Sequence, residues 1–156
     1  MIKKSIFQKP LILLTVLILM MTLFVGCGKD NKTNTSLQGT WRITEMTEEG
    51  KTKTFPYEEE IEGSTVQIQM YFQLKDNTIK MFTKMDNGTD SFVFLMGEET
   101  CTVSGNTIIT FDGDIEEEVA FTISGQKITI TDGTFTMKAV KVSDTEVAGA
   151  IPWPYN

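Results

Sequence analysis

Asp112, Asp114, Glu116, Glu117 and Glu118 form the densest group of carboxylates in the chain. Oxygen donors crowded like this suit a hard cation such as calcium, which takes six to eight oxygen ligands. The spacing departs from a calcium-binding helix–loop–helix pattern: the third ligand position has neither Asp nor Asn, and the sixth place has no Gly. The cluster therefore reads better as a charged hairpin tip, and no metal is expected. The chain has no histidine. That absence removes Ser-His-Asp and Cys-His nucleophiles, histidine general bases and every histidine-containing zinc or iron site. Carboxylate pairs able to hydrolyse glycosides remain in principle. Most acids, however, fall in segments read as turns and loops, and no serine occupies a Gly-x-Ser-x-Gly elbow. The expectation is a protein without catalytic residues or cofactors, and so not an enzyme.

Of the two cysteines, Cys27 ends a leader and Cys101 lies in a strand-like run with Val103. Lys3, Lys4 and Lys9 form a positive region ahead of the apolar run Leu11 to Val25, with Gly26 before the expected cut. That run is short for a permanent span, which wants about 20 apolar residues. Phe24-Val25-Gly26-Cys27 resembles the bacterial lipobox, which implies a diacylglycerol on the Cys27 sulfur and loss of residues 1–26 as a lipoprotein signal peptide. Acyl burial is worth about 0.8 kcal/mol per methylene, so two or three chains anchor a small domain firmly. Residues 27–36 then read as the lipidated cysteine and a flexible tether, because Gly28 to Ser36 contain no strongly apolar side chain. The resemblance places the domain on the extracytoplasmic face of a bacterial cell membrane. Removing the leader takes three lysines and no acids, leaving 11 basic against 21 acidic residues. A chain so acidic carries no footprint for nucleic acid. With Cys27 acylated, Cys101 is the only thiol left and is expected to be a buried, unreactive apolar residue.

The elements that would position these groups are strands. Val66, Ile68, Met70, Phe72 and Leu74 alternate with polar residues over nine positions, the period of a half-buried strand. Val119, Phe121 and Ile123, then Ile128 with Ile130, and Phe135 with Met137, repeat the pattern. Turn residues punctuate them about every ten positions: Asp76-Asn77, Asp86-Asn87-Gly88, Gly105-Asn106, Asp112-Gly113, Ser124-Gly125 and Asp132-Gly133. A weak repeat aligns Val103–Gly113 with Ile123–Gly133, each a turn, a strand and a second turn. Hairpins added in sequence make a meander. An open meander of eight to ten strands exposes two edges, and closure removes them. The expected fold is therefore all-β, an up-and-down antiparallel barrel over residues 37–150, with a β-sandwich as the alternative. Thr47 to Gly63 is the one long loop, its acidic stretch Tyr57–Glu62 either a solvated loop or a short lid. Residues 151–156 read as a Pro/aromatic tail that cannot continue a ladder and instead covers an open end or docks a partner.

Leu37-Gln38-Gly39-Thr40-Trp41-Arg42-Ile43 resembles the Gly-x-Trp opening strand of lipocalins, and of the lipocalin-like domains of small bacterial lipoproteins. The resemblance implies that Gly39 and Trp41 close one end of the barrel. It also implies that a basic residue near the last strand, Lys138 or Lys141, packs on the Trp. Thr131-Asp132 is similar to the family's second motif, although no arginine follows the final strand. It implies a binding function as well, with Ile68, Met70, Phe72, Met81, Phe121 and Met137 as candidate ligand-lining residues for a small apolar molecule. The competing function is a filled barrel that works through its surface on another envelope protein.

Overall fold

The computed structural model describes residues 36–112 and 115–153, apart from the side chains of Asp112 and Ile115. The leader, Cys27, Asp114 and Pro154–Asn156 lie outside the described residues. Among the described residues eleven strands follow in order: β1 (Gly39–Glu48), β2 (Lys51–Thr54), β3 (Tyr57–Ile61), β4 (Ser64–Lys75), β5 (Thr78–Asp86), β6 (Ser91–Ser104), β7 (Thr107–Asp112), β8 (Ile115–Ser124), β9 (Lys127–Thr131), β10 (Phe135–Val142) and β11 (Ile151–Pro152).

Each strand from β4 to β10 pairs antiparallel with the next, β10 pairs with β1, and β1 pairs back with β4 through Gly39–Arg42 against Tyr71–Leu74. Eight strands thus close on themselves, the up-and-down barrel expected of the alternation. Strand period places every second residue inside. The side chains of Trp41, Ile43, Met70, Phe72, Leu74, Ile108, Val119, Phe121, Ile128, Ile130 and Met137 accordingly meet in one interior cluster.

Two segments depart from the sequence reading. The stretch taken as a loop, Thr47 to Gly63, contains β2 and β3, which extend β1 and β4 where those two strands fork apart. Register explains why acidic residues tolerate strand conformation here. Tyr57 pairs with Ile68 and faces the core, whereas Glu58 and Glu60 face solvent. Phe55, buried between β2 and β3, plugs the fork and donates its N–H to the Thr44 carbonyl at 2.9 Å. Gln69 closes the same gap with its side chain, donating to the carbonyls of Ile43 (2.7 Å) and Met70 (2.9 Å).

The tail is the second departure. After β10 a short 3-10 helix, Asp144–Val147, starts a strap outside the barrel, where Val147 packs on Tyr71 and Phe82. The strap ends as β11, parallel to the free edge of β6, with Ile151 opposite Phe94 and Pro152 opposite Leu95. Proline is tolerated because this is an edge and the bond comes from the next residue, Trp153 N–H to the Leu95 carbonyl at 3.1 Å. The strap also explains why β4 is buried on both faces: Tyr71 on its outer side is as covered as Phe72 on its inner side.

Candidate binding site

The two poles of the barrel differ. At one pole lie the start of β1 and the turns at 76–77, 105–106 and 125–126. Each of these turns gives a carbonyl to the strand beyond its hairpin: Asn77 to Cys101 N–H, Asn106 to Phe121 N–H and Gln126 to Lys141 N–H. The weak sequence repeat is the trace of this shared geometry. Trp41 is fully buried here, stacked on Phe72 at 6.1 Å, with its indole N–H donating to the Leu37 carbonyl at 2.9 Å. Lys141 lies over the ring at 5.3 Å and donates to the Ser36 carbonyl at 3.0 Å. Lys138 instead points outward and pairs with Glu45 at 2.7 Å. Gly39 has φ +112, and a Cβ there would lie 3.3 Å from Lys141 Cε. Glycine therefore both permits the backbone turn and leaves room for the lysine that covers the tryptophan.

The opposite pole carries the turns at 49–50, 62–63, 87–90 and 132–134, with the end of β7 and the start of β8. Here one inward row runs across four strands, Tyr57 on β3, Ile68 on β4, Met85 on β5 and Phe92 on β6. Ile68 is buried, but Tyr57 and Met85 are only half-buried, and Phe92 is 51% exposed. The next row inward holds Met70, Thr83 and Phe94, and Trp153 packs edge-on against Phe94 at 5.0 Å. An apolar mouth thus opposes a sealed base. Burial and the nearby Glu59 push the Tyr57 hydroxyl up to about 12.

Of the candidate lining residues, Met70, Phe72, Phe121 and Met137 lie buried in the interior cluster, and Met81 is half-buried against it. Ile68 is buried in the mouth row, outside that cluster. Sequence reading missed two features. One is Glu117. The acidic run does not sit in a hairpin tip, because Glu116 to Glu118 belong to β8 and alternate across it. Glu117 pairs with Thr110 on the inward face and is only 7% exposed, while Glu116 is exposed. Counting back by twos from Phe121 and Val119 would have found it. Among the described residues no group of three or more Asp, Glu or Cys is placed to hold a metal ion. Cys101 is buried in the same row, opposite Thr110, and burial with Glu99 nearby pushes its thiol up to about 11.

The other missed feature is an outer cleft of about 380 Å³ at the fork of β1 and β4, lined by Arg42, Phe55, Gln67, Gln69, Tyr71, Lys84, Asp86 and Glu146 among others. Its wall is polar. Tyr71 donates to Glu146 at 3.1 Å, and burial together with that bond pushes its hydroxyl up to about 12.

A closed up-and-down barrel of eight antiparallel strands, sealed by tryptophan under lysine at one pole, defines a class of small barrel either filled by its own side chains or just wide enough for one small ligand. The family model of the lipocalin-like domain matches residues 37–146, and the chain belongs to that family. No curated protein and no solved structure matches the chain.

Proposed function

We propose that this protein is a lipid-anchored binding protein of a bacterial cell envelope, whose barrel takes one small, largely apolar molecule through the mouth opposite Trp41. The observation that carries the reading is the inward row Tyr57, Ile68, Met85 and Phe92. These side chains face the lumen by register, yet all but Ile68 stay partly solvent-exposed at the mouth. A concave apolar wall with few polar groups is how small-molecule sites are built. Methionines at 70, 81, 85 and 96 add thioethers that adapt to irregular shapes. The family is one of binding folds, which supports a role without catalysis. Trp153 rests on Phe94, which ties Ile151–Trp153 to the barrel wall.

All the described strands and both apolar clusters lie within residues 36–153, so a chain of residues 28–156 carries every described element of the fold. Native mass spectra of that chain, purified without detergent beside a denatured control, should show an extra mass of a few hundred daltons that denaturation removes. In titration, the neutral dye N-phenyl-1-naphthylamine should brighten on binding, and Phe92→Asp should weaken it about 10-fold. A clean apo mass together with no dye binding would overturn the reading. For the anchor, cells fed an alkynyl fatty acid should label the full-length protein on Cys27, and Cys27→Ser should abolish both label and membrane retention. An unlabelled wild-type chain would refute lipidation.

A further inference from the structure

We infer that the inner wall formed by β6, β7 and β8 is a polar subsite for the head of the ligand, and that the head is a hydrogen-bond donor, best a protonated amine. The inference rests on the binding reading above. One cross-strand row on that wall holds Cys101, Thr110 and Glu117, all facing the lumen and all buried. Below it, towards the sealed pole, the row is Val103, Ile108 and Val119, entirely apolar. A packed barrel has no reason to switch from aliphatic to polar side chains one step higher, because each buried polar group costs free energy unless it is bonded.

Thr110 is that unbonded group. It is 5% exposed, its hydroxyl is shut off from solvent, and it has no hydrogen-bond partner. Native proteins rarely leave such a group without a partner, so an unfilled bond on a lumen wall points to a molecule that fills it. Glu117 is not without a partner of its own. Its carboxyl stands beside Thr110 in the same inward row.

The charge of the wall selects the ligand. The Cys101 thiol is held neutral at physiological pH and contributes no charge. The acid opposite Ile79, next along the inward face of β6 from Cys101, is Glu99. Of the basic side chains, Lys141 is at the opposite pole, engaged with Trp41 and the Ser36 carbonyl, and Lys53 on β2, opposite the buried Met46, holds its ammonium 3.2 Å from the centre of the Tyr57 ring; neither is on the β6–β8 wall. A carboxylate head would set its oxygens against the Glu117 carboxyl in a low-dielectric lumen, whereas an ammonium or hydroxyl can donate to the Thr110 hydroxyl oxygen and to that carboxyl. Lateral access also exists. β7 pairs with β6 only from Cys101 to Ser104, and Gly97, opposite Met81, has open space where a side chain would be.

The test is competition against bound N-phenyl-1-naphthylamine by dodecylamine, dodecanol and dodecanoate, each below its micelle concentration, on residues 28–156. Dodecylamine should displace the dye at about a 10-fold lower concentration than dodecanoate, with dodecanol between them. Glu117→Gln should bring the amine-to-acid ratio close to one, and Thr110→Val should weaken amine and alcohol severalfold while Thr110→Ser retains them. Circular dichroism and Trp41 fluorescence confirm that each variant is folded, and the Thr110 pair carries the test if Glu117→Gln is not. Equal displacement by all three heads, unchanged in the variants, would overturn the polar subsite and leave the apolar binding site standing. Failure of every amphiphile and of the dye would instead sink the binding reading itself.

Discussion

The sealed pole and the β6–β8 wall treat buried polar atoms in opposite ways. Around Trp41 each has an assigned bond. The indole N–H reaches Leu37, Lys141 reaches Ser36, and Thr40, fully buried behind the strand, donates to Asp144 at 2.7 Å while accepting from Gln73 at 2.8 Å. On the wall, Thr110 is as inaccessible as Thr40 and has none. Two threonines on separate strands of one barrel, β1 and β7, thus do different work. One pins the strap to the base, and the other waits on the lumen side. Saturated hydrogen bonding marks the part that holds the fold, and the unsaturated hydroxyl marks a position whose bond the chain does not supply.

The largest test of that contrast is Trp41→Ala. Removing a fully buried indole, its stack on Phe72 and the ring under Lys141 should cost about 4 kcal/mol, a large share of the 5–15 kcal/mol that holds a domain of this size. Urea unfolding measures it. A loss under about 1 kcal/mol would mean that the seal is not where stability is concentrated. Because the sealed pole and the mouth lie at opposite ends, a folded Trp41 variant should still bind dye.

Much of this fold was legible because strand period is a local property. Val66 to Leu74 declares its inner face in nine residues, and the turns at Asp76-Asn77 and Gly125 declare the hairpins. Gly39 and Trp41 were legible through resemblance alone; the reason for the glycine, its contact with Lys141, depends on a residue about a hundred positions away. The fork was hidden because β2 and β3 are short and rich in charge, and only pairing with β1 and β4 makes them strands. The tail was misread because edge pairing asks nothing of Pro152. Glu117 was concealed by composition: three consecutive glutamates look like a solvated turn until parity from Val119 places the middle one inside.

Alkali separates the regions by their titrating groups. Cys101 on the polar wall is raised to about 11, while Tyr57 at the mouth and Tyr71 under the strap are raised to about 12. A raised folded-state value means that the folded chain holds the neutral form more firmly than the unfolded chain does. That stability is complete below the ordinary range of 9–10 and is lost as pH climbs towards 11–12. The melting temperature should therefore hold to about pH 9 and fall by about 5 °C or more by pH 11. Tyr71→Phe should flatten part of the fall, and an unchanged profile in that variant would remove the strap tyrosine from the account.

Lys141→Met keeps the aliphatic cover over Trp41 but removes the cation above the ring and the bond to Ser36. The expected loss is about 1 kcal/mol. Lys138→Met, which removes only an exposed ion pair with Glu45, should cost less than about 0.5 kcal/mol. Equal losses would mean that the lysine over the tryptophan acts as a surface charge and nothing more.

The last test is the most telling, because its sign differs between the two threonines. Thr40→Val strands the Asp144 carboxylate and the Gln73 amide and should destabilise by about 2 kcal/mol. Thr110→Val replaces a hydroxyl that has no partner by a methyl of nearly the same size, so it strands nothing and relieves one desolvated group. In ligand-free protein it should stabilise by about 1 kcal/mol, seen as a rise of a few degrees in melting temperature. With dodecylamine present the order should reverse, because the wild-type chain then gains binding energy that the variant lacks. A Thr110→Val protein less stable than wild type without ligand would show that its hydroxyl is already bonded, and the contrast between the two regions would collapse.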